Sequence, residues 1–258
     1  MDEITVKGLV VKSSDLGEND KLITIVTEDR GKLSASVKGG RSLKSKFVSV
    51  SEPFSFSTFC LRKTSKYYYL YDGELIDDFY SVRESIEKLS LAAYICDIAS
   101  ELSLEGVADE DLLKLTLNAL YALAYKDADL SHVKSAYEFK ASVISGYMPS
   151  LGECGICGKS QNGDSFIDVK SGILVCESCI SLPQEVNGIG VESVVLPVSK
   201  ATLDALRFLE SSPINKFLSF RITGDEGNYS TVCEKYLTCH LEKDFYTLAF
   251  YKSLDVNN

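Results

Sequence analysis

NDKLITIVTEDRGKLSASVKG, residues 19 to 39, sets two runs of alternating apolar and polar residues on either side of a tight Asp29-Arg30-Gly31 turn. Alternation at a period of two marks strands with one buried face, and Gly31 can take the positive φ that a short hairpin needs. ITVKGLVVKS, from Ile4, supplies a strand before this hairpin, set off by the turn-prone DLGE. SEPFSFSTFCLR, from Ser51, and KYYYLYDGEL, from Lys66, supply two more after it, rich in the aromatic residues that strands favour. Five short antiparallel strands in the first 80 residues fit a small barrel; the OB-fold is the five-stranded one best known for holding single-stranded nucleic acid, with other small barrels as alternatives.

From Ser81 the period becomes helical. Leu91, Ile95, Ile98 and Leu102 form one stripe of an amphipathic helix. A second helix, Asp109 to Tyr125, opens on acids at its positive dipole end and is apolar almost all round, which places it at the centre of its bundle. A third, Ser131 to Tyr147, puts Ala136, Phe139 and Val143 on one face and stops before Pro149. Residues 199–211 and 228–254 each read as one further helix. The expected class is α+β. An OB-fold domain at 1–80 precedes a helical domain at 81–258, which a cysteine-rich insertion interrupts at about 150–184.

The formal net charge is −10, yet residues 30–66 hold nine lysines and arginines against Glu52 alone, a window of +8. Residues 1–29 carry −4, which leaves −14 for residues 67–258. A like-charge run is by itself often no more than a solvated face. On a barrel it is also the footprint of a polyanion site. Arg30, Lys32, Lys38, Arg41, Lys44, Lys46, Arg62 and Lys63 are the candidate phosphate contacts, with GGRSLKSKF, residues 39–47, as the central loop. Tyr67, Tyr68, Tyr69 and Tyr71 offer stacking faces, although strand alternation lets only half of that run face a ligand.

Cys154, Cys157, Cys176 and Cys179 form C-x2-C-x18-C-x2-C. Two residues between cysteines let both sulfurs of a knuckle face one ion, and two knuckles complete the tetrahedron that Zn2+ prefers. Four protein ligands leave no position for water, so such an ion is structural rather than catalytic. A redox dithiol, the competing reading, needs a single CxxC at a helix start. Cys60 and Cys96 read as small apolar residues, and Cys233 and Cys239 point about 120° apart on one helix, which opposes a second metal site with His240. His132 reads as a surface or capping residue, and Asp72, Glu74, Asp77 and Asp78 as a solvated strand-to-helix junction.

No phosphate-binding GxxxxGK[ST], GxGxxG, GxSxG or HExxH motif occurs, so no enzymatic machinery is expected. No apolar run approaches the ~20 residues needed to cross a bilayer, and the charged start MDEITVKG is unlike a secretion signal. A cytoplasmic protein with reduced thiols is expected.

Two features together resemble a known family, the bacterial DNA repair protein RecO: the run LGENDKLITIVTEDRGKLSASVKGGRSLKSKFVSVSEPFSFS from Leu16, and CGIC and CESC between helices. Most of the chain follows the family in order. One departure is Gly39-Gly40-Arg41-Ser42, where the family usually has Gly-Ala-Arg and another basic residue. The resemblance implies an N-terminal OB-fold, a helical domain with a zinc-binding insertion, and a nucleoid-associated recombination mediator without enzymatic turnover. It implies binding of single- and double-stranded DNA, annealing of complementary strands, union with RecR, and help to RecA in displacing SSB, whose C-terminal tail is a further partner. Two other readings share the residues: an RNA-binding or transcription-associated zinc-ribbon and OB module, and a thiol oxidoreductase using Cys154 and Cys157.

Overall fold

A computed structural model describes residues 3–63, 65 and 67–255; Lys66 of the basic window lies outside the described residues. The chain forms two compact units, one running up to Ala128 and resuming at Phe245, the other Asp129–Asp244.

In the first unit, β1 (Glu3–Leu16), β2 (Asp20–Thr27), β3 (Gly31–Val37), β4 (Phe56–Lys63) and β5 (Tyr68–Asp77) close a barrel in the order β1-β2-β3-β5-β4. All pairings are antiparallel except β3 with β5, which run parallel through Ala35↔Tyr68 and Ser36↔Tyr69. This is the five-stranded OB-fold arrangement expected from the alternation. Val6, Ile23, Ile25, Leu33, Ala35 and Val37 alternate inward to fill the barrel with Phe59, Leu61 and Leu70. A register shift in β1 between Val10 and Lys12 lets Leu9, Val10 and Val11 all be buried, so this strand serves both faces of its sheet.

A short helix between β3 and β4, α1 (Val48–Ser51), was not legible in sequence. Phe47 and Val50 enter the barrel core there. Four residues are too few to show a helical stripe.

After a 3-10 turn at Tyr80–Glu84 come α2 (Ile86–Leu102) and α3 (Glu110–Tyr125). Ser85 and Asp109 cap them, accepting from Lys88 N–H at 3.2 Å and Leu112 N–H at 2.9 Å. Leu91, Ile95 and Ile98 are wholly buried, as their spacing requires.

Gly31 locks the β2–β3 hairpin to the loop between α2 and α3. Its φ is +62°, and a Cβ there would lie 2.0 Å from the Leu104 carbonyl oxygen and 2.3 Å from that of Val107. Lys32 N–H donates to the Leu104 carbonyl at 3.1 Å, and Gly106 N–H to that of Arg30 at 3.1 Å. Gly31→Ala is therefore expected to lose about 3 kcal/mol, from left-handed strain and overpacking together. Gly39→Ala, with φ +63° but open space around it, isolates the strain and should lose only about 1 kcal/mol. Urea midpoints of the two variants check the difference.

The second unit contains α4 (Leu130–Ile144), α7 (Lys200–Ser211) and α8 (Glu226–Leu241). It also holds a four-stranded sheet, β6 (Ser150–Cys154), β8 (Ile173–Val175), β7 (Ser165–Asp168) and β9 (Val195–Val198) in that order, with the short helices α5 (Glu177–Ile180) and α6 (Gln184–Asn187).

Two helical expectations are corrected. Residues 228–254 do not form one helix: α8 ends where Glu242 turns left-handed at φ +48°, and α9 (Tyr246–Asp255) joins the first unit. There Phe245 meets the Tyr94 ring at 5.4 Å and Thr247 donates to Asp97 at 2.8 Å. No Gly or Pro marks the break, because packing on α2 imposes it. The most enclosed helix, moreover, is α4 rather than α3. Lys114, Tyr121 and Tyr125 of α3 are exposed, whereas every residue from Val133 to Val143 is buried. Pairing makes that burial possible for polar residues: Lys134 bridges Glu138 and Glu234, and Lys140 donates to the Leu209 and Ser212 carbonyls at 2.7 Å each.

Candidate nucleic-acid interface and metal centre

The barrel topology sorts the basic residues by strand end. β3 finishes at Val37, β4 finishes at Lys63, and β5 begins at Tyr68 alongside Ala35. Lys38, Arg41, Lys44, Lys46, Arg62 and Lys63 therefore gather at one end. Strand alternation turns Leu70 into the core, with Tyr68 packed against it, and Tyr69 and Tyr71 outward. The outward pair meets the cations: Lys38 Nζ lies 5.7 Å from the Tyr69 ring centre and the Arg62 guanidinium 5.2 Å from that of Tyr71. Lys46 Nζ donates to the Tyr71 carbonyl at 3.3 Å. The β1–β2 turn anchors the basic loop, through Asp20 accepting from Gly39 N–H at 2.8 Å and the Gly17 carbonyl accepting from Arg41 Nη1 at 2.9 Å.

Two of the eight candidates stand elsewhere. Arg30 and Lys32 lie at the start of β3, a seven-residue strand, and so ~20 Å from its other end. Lys32 Nζ is taken up by the Ser100 carbonyl at 2.6 Å, and Arg30 faces Asp29 at 3.7 Å. Within the six, both arginines hold acids. Arg41 is 3.3 Å from Asp15, and Arg62 donates to Glu3 at 2.7 and 3.1 Å. The Arg62 hydrogen bond holds the Glu3 carboxyl below its usual range, while burial and then the Glu3 charge push the Tyr71 phenol up. These acids come from β1, far away in sequence, so no reading of the basic window could have shown them.

The four cysteines converge. β6 and β8 run side by side with Cys154 opposite Leu174, which brings the first knuckle against the second at the end of β8. All four sulfurs lie within 4.8 Å of one another, and Cys157 Sγ is 3.8 Å from Cys176 Sγ. A tetrahedron with ~2.3 Å metal–sulfur arms has edges of about 3.8 Å, so the donor set fits one thiolate-bound ion. Local hydrogen bonds favour the charged sulfurs. The Ser178 hydroxyl, 3.1 Å from Cys176 Sγ, lowers that thiol to about 6; at Cys154, burial raises the thiol but backbone amides, that of Cys176 among them, draw it below its usual range. Burial pushes Cys179 the other way, to about 12. Among the described residues no other group of His, Cys, Asp and Glu converges in this way.

The remaining candidates are structural. Cys96 and Cys233 are buried, and burial raises both thiols. Asp77 accepts from Phe79 N–H at 2.9 Å and from the Tyr125 hydroxyl at 2.7 Å, which ties the junction down. His132 is no cap: Asp129 caps α4, and the His132 ring packs 4.7 Å from that of Phe220.

Comparison with known proteins agrees with this layout. A family model described as Recombination protein O N terminal matches residues 1–79, and one described as Recombination protein O C terminal matches residues 83–249. The DNA repair protein RecO of Acetivibrio thermocellus is 30% identical over 99% of this chain and 98% of its own length. That of Pelotomaculum thermopropionicum is 30% identical over 94% of this chain and 91% of its own, and that of Clostridium acetobutylicum 30% over 81% of each. With both halves matched and relatives aligned nearly end to end around a closed five-stranded barrel and a four-cysteine cluster, the chain belongs to the RecO family.

Proposed function

We propose that this protein is a recombination mediator in DNA repair. It grips single- and double-stranded DNA at the cationic barrel end, anneals complementary strands without enzymatic turnover, and with RecR helps RecA load where SSB covers the strand. The observation that carries the reading is the gathering of Lys38, Arg41, Lys44, Lys46, Arg62 and Lys63 around outward-facing Tyr69 and Tyr71. Neutralising phosphates on two strands at once lowers their mutual repulsion, which lets a binder with no active site promote pairing.

Affinity follows from counting free cations. Lys38, Lys44, Lys46 and Lys63 hold no acid among the described residues, so four phosphate contacts at about −0.7 each give a slope of log K against log salt near −2.8 on single strands. Changing Lys38, Arg41, Lys44 and Lys46 together to Glu should weaken oligonucleotide binding by about 100-fold near 0.1 M salt and abolish annealing. Salt-independent binding, annealing by the folded quadruple variant, or preference for an RNA strand of the same sequence would each defeat the reading.

Cys154, Cys157, Cys176 and Cys179 would hold one Zn2+. The ion supplies a structural cross-link, because four thiolates leave no position open for chemistry. For the SSB tail, a cleft of about 310 Å3 in the second unit offers Phe208, Phe220 and Ile222 to an apolar peptide tip and Arg221 to an acidic residue behind it, with Asp204 as the opposing charge.

A further inference from the structure

The cations at the barrel end differ in what they already hold. Both donors of Arg62 that face β1 are spent on one oxygen of Glu3, Nη2 at 2.7 Å and Nε at 3.1 Å, and the Tyr71 hydroxyl donates to the other oxygen at 3.3 Å. Register explains the meeting, since Glu3 on β1 lies directly opposite Arg62 on β4. The Arg62 guanidinium lies 5.2 Å from the centre of the Tyr71 ring, so the two side chains form one three-donor cradle around the carboxylate. Such a cradle suits any compact oxyanion, since a guanidinium donates to carboxylate and phosphate oxygens alike. The pair is also open to water, with Arg62 39% and Glu3 49% exposed, so a competing anion can reach it.

We infer that Glu3 stands in for a backbone phosphate at the Arg62–Tyr71 subsite, and that polynucleotide must displace it before that subsite contributes to binding. The inference rests on the proposed DNA-binding role of this barrel end. Glu3 is then an anti-binding residue: it holds affinity below what the cations alone would supply. Arg41 differs, because one of its donors anchors the loop to the Gly17 carbonyl and its Asp15 contact is a longer 3.3 Å.

The test is a double-mutant cycle read by fluorescence anisotropy on a labelled oligo-dT of about 20 nucleotides, across salt from about 0.1 M upward. Glu3→Gln is expected to bind about fivefold more tightly near 0.1 M salt, with the slope steeper by about 0.7, one added phosphate contact. In the Arg62→Gln background, Glu3→Gln should gain nothing. Glu3→Ser, which removes the carboxylate by a different side chain, should reproduce the gain, and thermal melting of each variant confirms folding. No gain in Glu3→Gln, with salt-dependent binding intact in the unaltered protein, overturns the stand-in role alone. A gain that persists without Arg62 overturns it too, as a change of net charge only. Failure of the unaltered protein to bind oligo-dT overturns this inference together with the reading it rests on.

Discussion

Cys176→Ser is expected to empty the metal site and melt the two cysteine knuckles while the barrel stays folded. The knuckle face of the sheet has little else to hold it. Its buried cluster is Cys154, Val175, Cys176 and Cys179, three of them ligands, with Ile156, Phe166, Ile173, Ile180 and Ile189 only partly covered. Structural Zn2+ contributes about 10 kcal/mol or more in small thiolate domains, far above what so few side chains supply by burial. The loss should stop at the other face of the sheet, where Leu151, Ile167, Leu174 and Val198 are buried and the Leu151 carbonyl accepts from Arg207 Nη2 and Nε of α7 at 2.6 and 3.0 Å. Metal analysis should fall from one zinc per chain to none, and the amides of Gly158, Cys179 and Ile180, which close the two knuckles, should lose protection against exchange while those of β2 and β3 keep it. Cys60→Ser, a thiol outside the cluster, is the control and should change neither. Full protection in a metal-free variant would sink the structural-zinc reading.

Lys134→Met is expected to cost about 3–5 kcal/mol, the next largest effect, by leaving a buried carboxylate without its counter-charge. Lys134 is 4% exposed and Glu138 0%, at 2.9 Å, with Glu234 at 2.8 Å on the facing helix α8. Replacing all three residues with Met or Leu should restore most of the stability, since what is costly is the orphaned charge rather than the lack of a pair. A urea midpoint for Lys134→Met within about 0.5 kcal/mol of the parent would show that Glu138 finds another partner or a proton. The network also sets a pH limit. Burial lowers the Lys134 ammonium, but Glu138 and Glu234 outweigh it, and the folded pKa stands above the ordinary 10.5. Its stabilisation is therefore complete below that ordinary value and is lost as pH rises through the folded one.

These two effects differ in how visible they were beforehand. The C-x2-C-x18-C-x2-C spacing declares its partners, because two residues between thiols can face one ion whatever surrounds them. Lys134, Glu138 and Lys140 sit on a helix whose composition reads as half-solvated, and only the α7 and α8 residues that meet them make their burial tolerable. The break after Leu241 is of the same kind: helical periodicity continues through it, and packing of Phe245 and Leu248 overrides it.

For this protein, the sequence by itself determined the barrel's strands, the helical character that follows them, the thiol set and the family, since period-two alternation, helical stripes and knuckle spacing are local patterns. Tertiary structure alone decided which cations share a surface. Closure of β1 on β4 and the parallel pairing of β3 with β5 put Lys38 to Lys46 beside Arg62 and Lys63, sent Arg30 and Lys32 to the opposite end, and laid Glu3 across Arg62. Charge acts through space rather than along the chain, so its meaning waited on strand register, which no local pattern encodes.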